Sequence, residues 1–126
     1  MINSCFVVIV CYQLEFQQPA AVYGVDSGPL SVISGDFNKD GHLDLAVTCN
    51  HQNTINILFG TGNGSFQLPA ISFSSSGIHP YWMVAADFNV DGNLDLAVTN
   101  EGSDNVAIFL GQSNGSFQLP GTTFKL

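Results

Sequence analysis

Asp36-Phe37-Asn38-Lys39-Asp40-Gly41-His42-Leu43-Asp44 decides how the chain is read, because it returns as Asp87-Phe88-Asn89-Val90-Asp91-Gly92-Asn93-Leu94-Asp95. In both copies oxygen-bearing side chains stand at the first, third, fifth and ninth positions, with glycine at the sixth. A hard cation such as Ca²⁺ takes about six to eight oxygen ligands at roughly 2.3–2.6 Å, and alternate residues of a tight loop can aim their oxygens at one point. Gly41 and Gly92 allow the positive φ that such a loop demands. At the seventh position the carbonyls of His42 and Asn93 would each add a backbone oxygen. The candidate ligands are therefore Asp36, Asn38, Asp40, His42 and Asp44 in the first loop, and Asp87, Asn89, Asp91, Asn93 and Asp95 in the second.

A helix after the loop is excluded. An EF-hand ends on a bidentate Glu at its twelfth position and runs into a helix. Here the twelfth residue is Val47 or Val98, and Leu43, Leu45 and Val47 alternate as in a strand. The last carboxylate, Asp44 or Asp95, already lies on that strand. The motif reads as a nine-residue calcium loop between two β-strands.

The loop belongs to a duplicated unit. Asp36–Pro69 and Asp87–Pro120 are identical at 20 of 34 positions with an offset of 51 residues, which marks a structural repeat. Four strands are expected per unit: Leu30–Gly35, Leu43–Thr48, Thr54–Gly60 and Phe66–Phe73, with Tyr81–Ala86, Leu94–Thr99 and Asn105–Gly111 as the second copy's first three. Asn63-Gly64 suits a type I′ turn into the fourth strand, and Pro69 fits that strand only at a sheet edge. The third strands are apolar on both faces, as in a sheet sandwiched between two others. Four antiparallel strands, a period near 50 and face-to-face stacking describe β-propeller blades. No stretch has helical period.

Composition agrees. The net charge is −8, from ten acids against Lys39 and Lys125, with no arginine, and six of the acids are loop residues. Nucleic acid and anionic membranes are poor partners for such a surface. Without metal, each loop holds three carboxylates at about 1–3 kcal/mol of repulsion per pair. Cys5, Cys11 and Cys49 make no disulfide scaffold; either a bridge to Cys49 or buried thiols fit the spacing. The apolar run from Cys5 to Tyr12 is too short to span a bilayer, which needs about 20 residues. It reads as a degenerate strand of an incomplete repeat, since Phe16-Gln17-Gln18-Pro19 matches Phe66-Gln67-Leu68-Pro69, with a leader segment as the alternative.

Asp-Phe-Asn-x-Asp-Gly-x-x-Asp-Leu-Ala-Val-Thr, followed by an Ile/Val-rich strand ending in Leu-Phe-Gly or Phe-Leu-Gly and then Asn-Gly-Ser-Phe-Gln, resembles the FG-GAP (VCBS-type) repeats of integrin α-subunit propellers. The resemblance covers roughly residues 16–126. It implies an all-β chain of four-stranded antiparallel propeller blades within a seven-bladed ring, two Ca²⁺ sites on the residues named above, and an extracellular adhesion or ligand-recognition role. The units are expected at residues 1–14 (degenerate strand or leader), 15–28 (end of a preceding blade), 29–73 and 74–120 (two full blades), and 121–126 (start of a third). The partner would be an extracellular protein or glycan, self-association, or the remainder of a longer propeller.

Other motifs are weaker. His79, Tyr81 and Trp82 lie where the two copies differ most, and could grip a ligand or stack on a sugar in a lectin-like module; packing between blades is the plainer reading. Asn63-Gly64-Ser65 and Asn114-Gly115-Ser116 are glycosylation acceptor sequences as well as good turns. No catalytic constellation is present: no GxSxG, HExxH or phosphate-cradling glycine run. The chain reads as a non-enzyme, and a purely structural repeat is the remaining alternative.

Overall fold

The computed structural model describes residues 21–125 and the backbone of residues 5–9. Among these residues ten strands make three antiparallel sheets: β1 (Cys5–Ile9), β2 (Ala21–Val25), β3 (Pro29–Gly35), β4 (Asp44–Cys49), β5 (Thr54–Leu58), β6 (Ile71–Ser74), β7 (Pro80–Ala86), β8 (Asp95–Asn100), β9 (Asn105–Phe109) and β10 (Thr122–Lys125). β1 pairs with β2, β3 to β6 form a four-stranded meander, and β7 to β10 form a second. Among the described residues the only helical piece is the 3-10 turn Glu101–Ser103. No helix there is long and apolar enough to cross a membrane.

Each acidic loop connects the first strand of its sheet to the second, β3 to β4 and β7 to β8, as the alternation after Asp44 and Asp95 requires. The third strands are central, and β5 is buried along nearly its whole length. That is why its residues are apolar on both faces: each face meets another sheet.

The fourth strand is shorter than the sequence suggests. Gly60 and Phe66 make an isolated bridge, the chain bends at the cis Leu68–Pro69 bond, and pairing resumes only at Ile71. Pro69 has no N–H for the ladder, so strand cannot run evenly through it. Residues 122–125, read as the start of a third unit, instead pair with β9 and complete the second sheet. The Asn-Gly turns also differ from expectation. Asn63 and Asn114 do not take positive φ, whereas Gly64 and Gly115 do, so the turns are not type I′. Five-residue loops close through Thr61 N–H to the Ser65 carbonyl (3.0 Å) and Gln112 N–H to the Ser116 carbonyl (2.9 Å). Asn63 Oδ1 and Asn114 Oδ1 each accept the amide two residues on, at 3.0 Å, which makes them Asx turns.

The main core lies between the two large sheets. Phe37, Ala46, Ile55 and Ile57 of the first meet Met83, Leu96, Val98, Ala107, Phe109 and Phe117 of the second. Phe73 packs against Phe109 and Phe117 with ring centroids 5.4 and 5.6 Å apart. A smaller core lies between β2 and the first large sheet, where Tyr23 and Val25 cover Val47, Cys49 and Leu58. Burying one such aliphatic or phenylalanine side chain is worth about 1.5–3 kcal/mol. The side chains of Cys5 and Cys11, and with them the disulfide question, lie outside the described residues, as do residues 1–4 and 10–20 of the degenerate-strand reading.

Candidate functional site

The two acidic loops have the same internal wiring. In the first, Asp36 accepts the amides of Asp40 (3.1 Å) and Gly41 (2.9 Å), Asn38 Oδ1 accepts Asp40 N–H (3.2 Å), and Asp40 Oδ1 accepts His42 N–H (2.8 Å). In the second, Asp87 accepts Asp91 N–H (3.1 Å) and Gly92 N–H (2.8 Å), Asn89 accepts Asp91 N–H (3.2 Å), and Asp91 accepts Asn93 N–H (2.8 Å). Short acidic and amide side chains capture backbone amides two to five residues on, so three successive turns fold inward over their own side-chain oxygens. Gly41 (φ 85°) and Gly92 (φ 86°) take the left-handed conformation expected of them.

Sequence reasoning missed the fourth position. Lys39 and Val90 also stand in the left-handed region, both at φ 60°. Neither residue type favours it, and for a β-branched valine it is a strained conformation worth about 1–3 kcal/mol. Nothing in the residue identity could have signalled it.

Asp44 and Asp95 have a structural role beyond the one expected. Both are fully buried. The Asp44 carboxylate accepts Phe37 N–H (2.9 Å) at the loop entrance and Gly60 N–H (2.8 Å) at the end of the third strand. Asp95 does the same with Phe88 N–H and Gly111 N–H, both at 2.8 Å. Each aspartate therefore staples a loop to its own sheet. The glycines at the far end of the staple are explained as well: a Cβ on Gly60 or Gly111 would run into the carbonyl oxygen of Leu43 or Leu94. Burial pushes the Asp44 carboxyl above its ordinary value, its two amide partners pull it down, and the charges of Asp40 and Asp36 push it up again. Those carboxylates thus lie within electrostatic reach of one another.

The donor chemistry fits a hard cation: carboxylate and amide oxygens, with no sulfur or imidazole nitrogen in the set. A carboxylate carries about four lone-pair sites, so one that accepts two amides keeps capacity for an ion. In the second loop Asn93 Oδ1 is a buried oxygen without a hydrogen-bond partner. Among the described residues, however, no three His, Cys, Asp or Glu side chains converge on one point that could hold a metal.

The loops also touch their neighbours. A Cβ placed on Gly92 would lie 3.6 Å from Lys39 Nζ. Asp91 is held below the usual carboxylate value first by the Asn93 amide, against a smaller opposing effect of burial, with the Asn89 and Asn93 side chains and the Lys39 charge adding to the lowering. The first loop's cation therefore reaches the second loop.

The remaining candidates do not form one site. His79, Tyr81 and Trp82 are all exposed, and His79 N–H is held by Asn53 Oδ1 at 2.7 Å. Tyr81 lines an open cleft of about 340 Å³ with Asn100, Glu101 and Asp104, but Trp82 and His79 do not line it. Asn63 and Asn114 are exposed at their turn tips. A polar cluster that sequence reasoning did not assemble gathers at Asp26. Its Oδ2 accepts Thr54 Oγ1 (2.7 Å), Asn56 Nδ2 (2.8 Å) and Ser72 Oγ (2.5 Å), while its amide donates to Asn56 Oδ1 (2.9 Å).

Comparison with known families finds the FG-GAP-like repeat over residues 36–98, half of the chain, spanning both acidic loops. Neither the curated proteins nor the solved structures yield a match.

Proposed function

We propose, from the premise that the chain belongs to the FG-GAP-like repeat family, that its two large sheets are blades of a calcium-braced β-propeller acting outside the cell in adhesion or ligand recognition. The observation that carries the calcium reading is the matched wiring of the two loops, with amide-anchored oxygens at the same positions to within 0.1 Å. Bound calcium would supply positive charge among the carboxylates and relieve their mutual repulsion. Asp36, Asn38 and Asp40, with the His42 carbonyl and the Asp44 carboxylate, would hold one ion; Asp87, Asn89, Asp91, Asn93 and Asp95 would hold the other. The ions act on the shape of the β3–β4 and β7–β8 connections, and we assign them no catalytic step. A seven-bladed ring and an extracellular setting, where free calcium suits sites with dissociation constants of about 10⁻⁴–10⁻³ M, complete the proposal.

The test is a thermal melt in millimolar calcium against chelator. An ion at tenfold its dissociation constant stabilises the fold by about 1.4 kcal/mol per site. Asp36→Asn and Asp87→Asn should each remove about half of the calcium-dependent rise. A melt indifferent to chelator overturns the assignment for both loops. A carbohydrate-binding propeller is the second reading, motivated by the exposed rings of Tyr81 and Trp82. Glycan binding that Trp82→Ala abolishes, without a change in the calcium melt, would favour it.

A further inference from the structure

The two glycosylation acceptor sequences are held differently by the fold. Asn63-Gly64-Ser65 stands at the tip of its loop, with Gly64 itself exposed. Asn114-Gly115-Ser116 belongs to the connection from β9 to β10, and this connection leans on the first large sheet. Gly115 is buried there, and a Cβ on it would lie 2.5 Å from the Phe59 ring and 3.0 Å from Asn38 Cβ. Asn114 remains exposed. Its Oδ1 accepts both the Ser116 amide (3.0 Å) and the Ser116 hydroxyl (2.6 Å). The planar side-chain amide therefore presents Nδ2, its donor end, away from those two groups.

Beside Asn114 a trough runs between β6 and the β9–β10 connection. One part, of about 350 Å³, is lined by Asn114 together with Phe59, Ile71, Phe73, Phe117 and Leu119. A second part, of about 550 Å³, shares Leu119 and adds the hydroxyls of Ser74, Ser76 and Thr123. Both fall in the range of about 300–1,000 Å³ in which clefts hold small ligands. Ile71 and Leu119 are apolar, yet 51% and 56% exposed. A pyranose ring suits such a lining, because its C–H faces are apolar and its rim carries hydroxyls. We propose that Asn114 is an N-glycosylation site whose first sugars lie in this trough, over Ile71 and Leu119. The occupant is named by the lining itself, since the acceptor side chain is part of the cleft wall. In the transfer, Asn114 Nδ2 bonds to the anomeric carbon of a sugar carried on a lipid diphosphate. The bond from that carbon to the diphosphate oxygen breaks, the diphosphate leaves with the electron pair, and Nδ2 gives up one proton. The inference rests on the extracellular reading, which brings the chain to such a donor.

The test secretes the full chain from a glycosylating eukaryotic cell behind a cleavable leader, so that acceptor and trough are read wherever the natural chain resides. Peptide mass spectrometry should find a glycan on Asn114, and Asn114→Gln should remove that one glycan from the intact mass. Peptide-N-glycosidase then reports on the seat. It should release the Asn114 glycan about tenfold faster from folded Leu119→Ser or Ile71→Thr than from the folded parent, the ratio that about 1.4 kcal/mol of seating gives. Both substitutions change exposed side chains, and an unchanged melting temperature shows that the variants fold. Secreted chain with Asn114 bare overturns the proposal. Release from the parent as fast as from both variants overturns it equally, because the sugar would then stand in solvent and the trough would serve another occupant. Finding the untagged chain inside its cell would remove the extracellular reading without altering either measurement, so the two failures are told apart.

Discussion

Phe37 and Phe88 occupy the same position of the same loop, yet one is sealed between sheets and the other is half in water. Val32 and Met83 show the reverse: the first repeat's residue is 52% exposed and the second's 1%. The explanation is the same in both cases. A residue's burial is set by the sheet next door, and among the described residues each large sheet has a full neighbour on one side only. The half-sheet β1–β2 covers Val47, Cys49 and Leu58 on β4 and β5, whereas Val32 on β3 stays half in solvent. The local wiring of the two loops, by contrast, is independent of position in the stack.

The comparison can be broken most sharply with paired truncations. Phe37→Ala should cost about 3–5 kcal/mol, the range for a buried phenylalanine, and Phe88→Ala under about 1 kcal/mol, as for surface changes. Denaturant unfolding measures both, and equal costs would mean that the repeats are covered alike.

The linkers sharpen it further. The first repeat is clasped by Asp26, whereas in the connection before β7 Ser75 is buried with its hydroxyl on the Gly77 carbonyl at 3.0 Å. Losing hydrogen bonds to a charged acceptor should cost about 1.5–3 kcal/mol in Asp26→Ala, and Ser75→Ala less. The Asp26 contribution depends on pH. Burial alone would raise its pKa, but the bonds from Ser72, Asn56 and Thr54 together hold it below 3.8. A carboxyl with a depressed folded-state pKa adds stability that is fully present above its unfolded value and is lost as pH falls through the folded one. Stability measured from pH 6 down to pH 2 should therefore fall less steeply below about pH 4 in Asp26→Asn than in the native chain.

Smaller effects separate the loops. Val90→Gly should stabilise the fold by about 1 kcal/mol by relieving the left-handed valine, and Lys39→Gly by less, because lysine is not β-branched. A Val90→Gly variant that melts lower would remove the strain argument. Smallest of all, Lys39→Gln should tighten calcium at the second loop about two- to fivefold at low salt, because the ammonium beside Asp91 and Gly92 repels the ion weakly across solvent. Calorimetric titration reads this, and the difference should fade as salt is added.

Much of the architecture was legible in residues 36–44 and 87–95. An alternating strand after the ninth position excluded a helix, and the 51-residue offset gave the two meanders. The inward-folded oxygens of Asp36, Asn38 and Asp40 were legible for the same reason, since their partners lie within five residues. What was not legible involved partners far along the chain. Asp44 read as the loop's last ligand, already on the strand, but half of its hydrogen bonding goes to Gly60, sixteen residues on. Asp26 stands in the short connection between β2 and β3, yet Ser72, which it holds, lies 46 residues away. The fourth strand was overextended because a bridge at Phe66 and a ladder from Ile71 look continuous until Pro69 interrupts the amides between them.

The sequence by itself determined the repeat, the strand order within each unit and the chemical character of the acidic loops, because periodicity and short-range hydrogen bonds are written into neighbouring residues. The tertiary structure alone decided which copy of each apolar side chain is covered, which aspartate is a staple and which linker is a clasp. Those depend on what stacks against a surface, and two nearly identical sequences carry no record of which one stands at the open side.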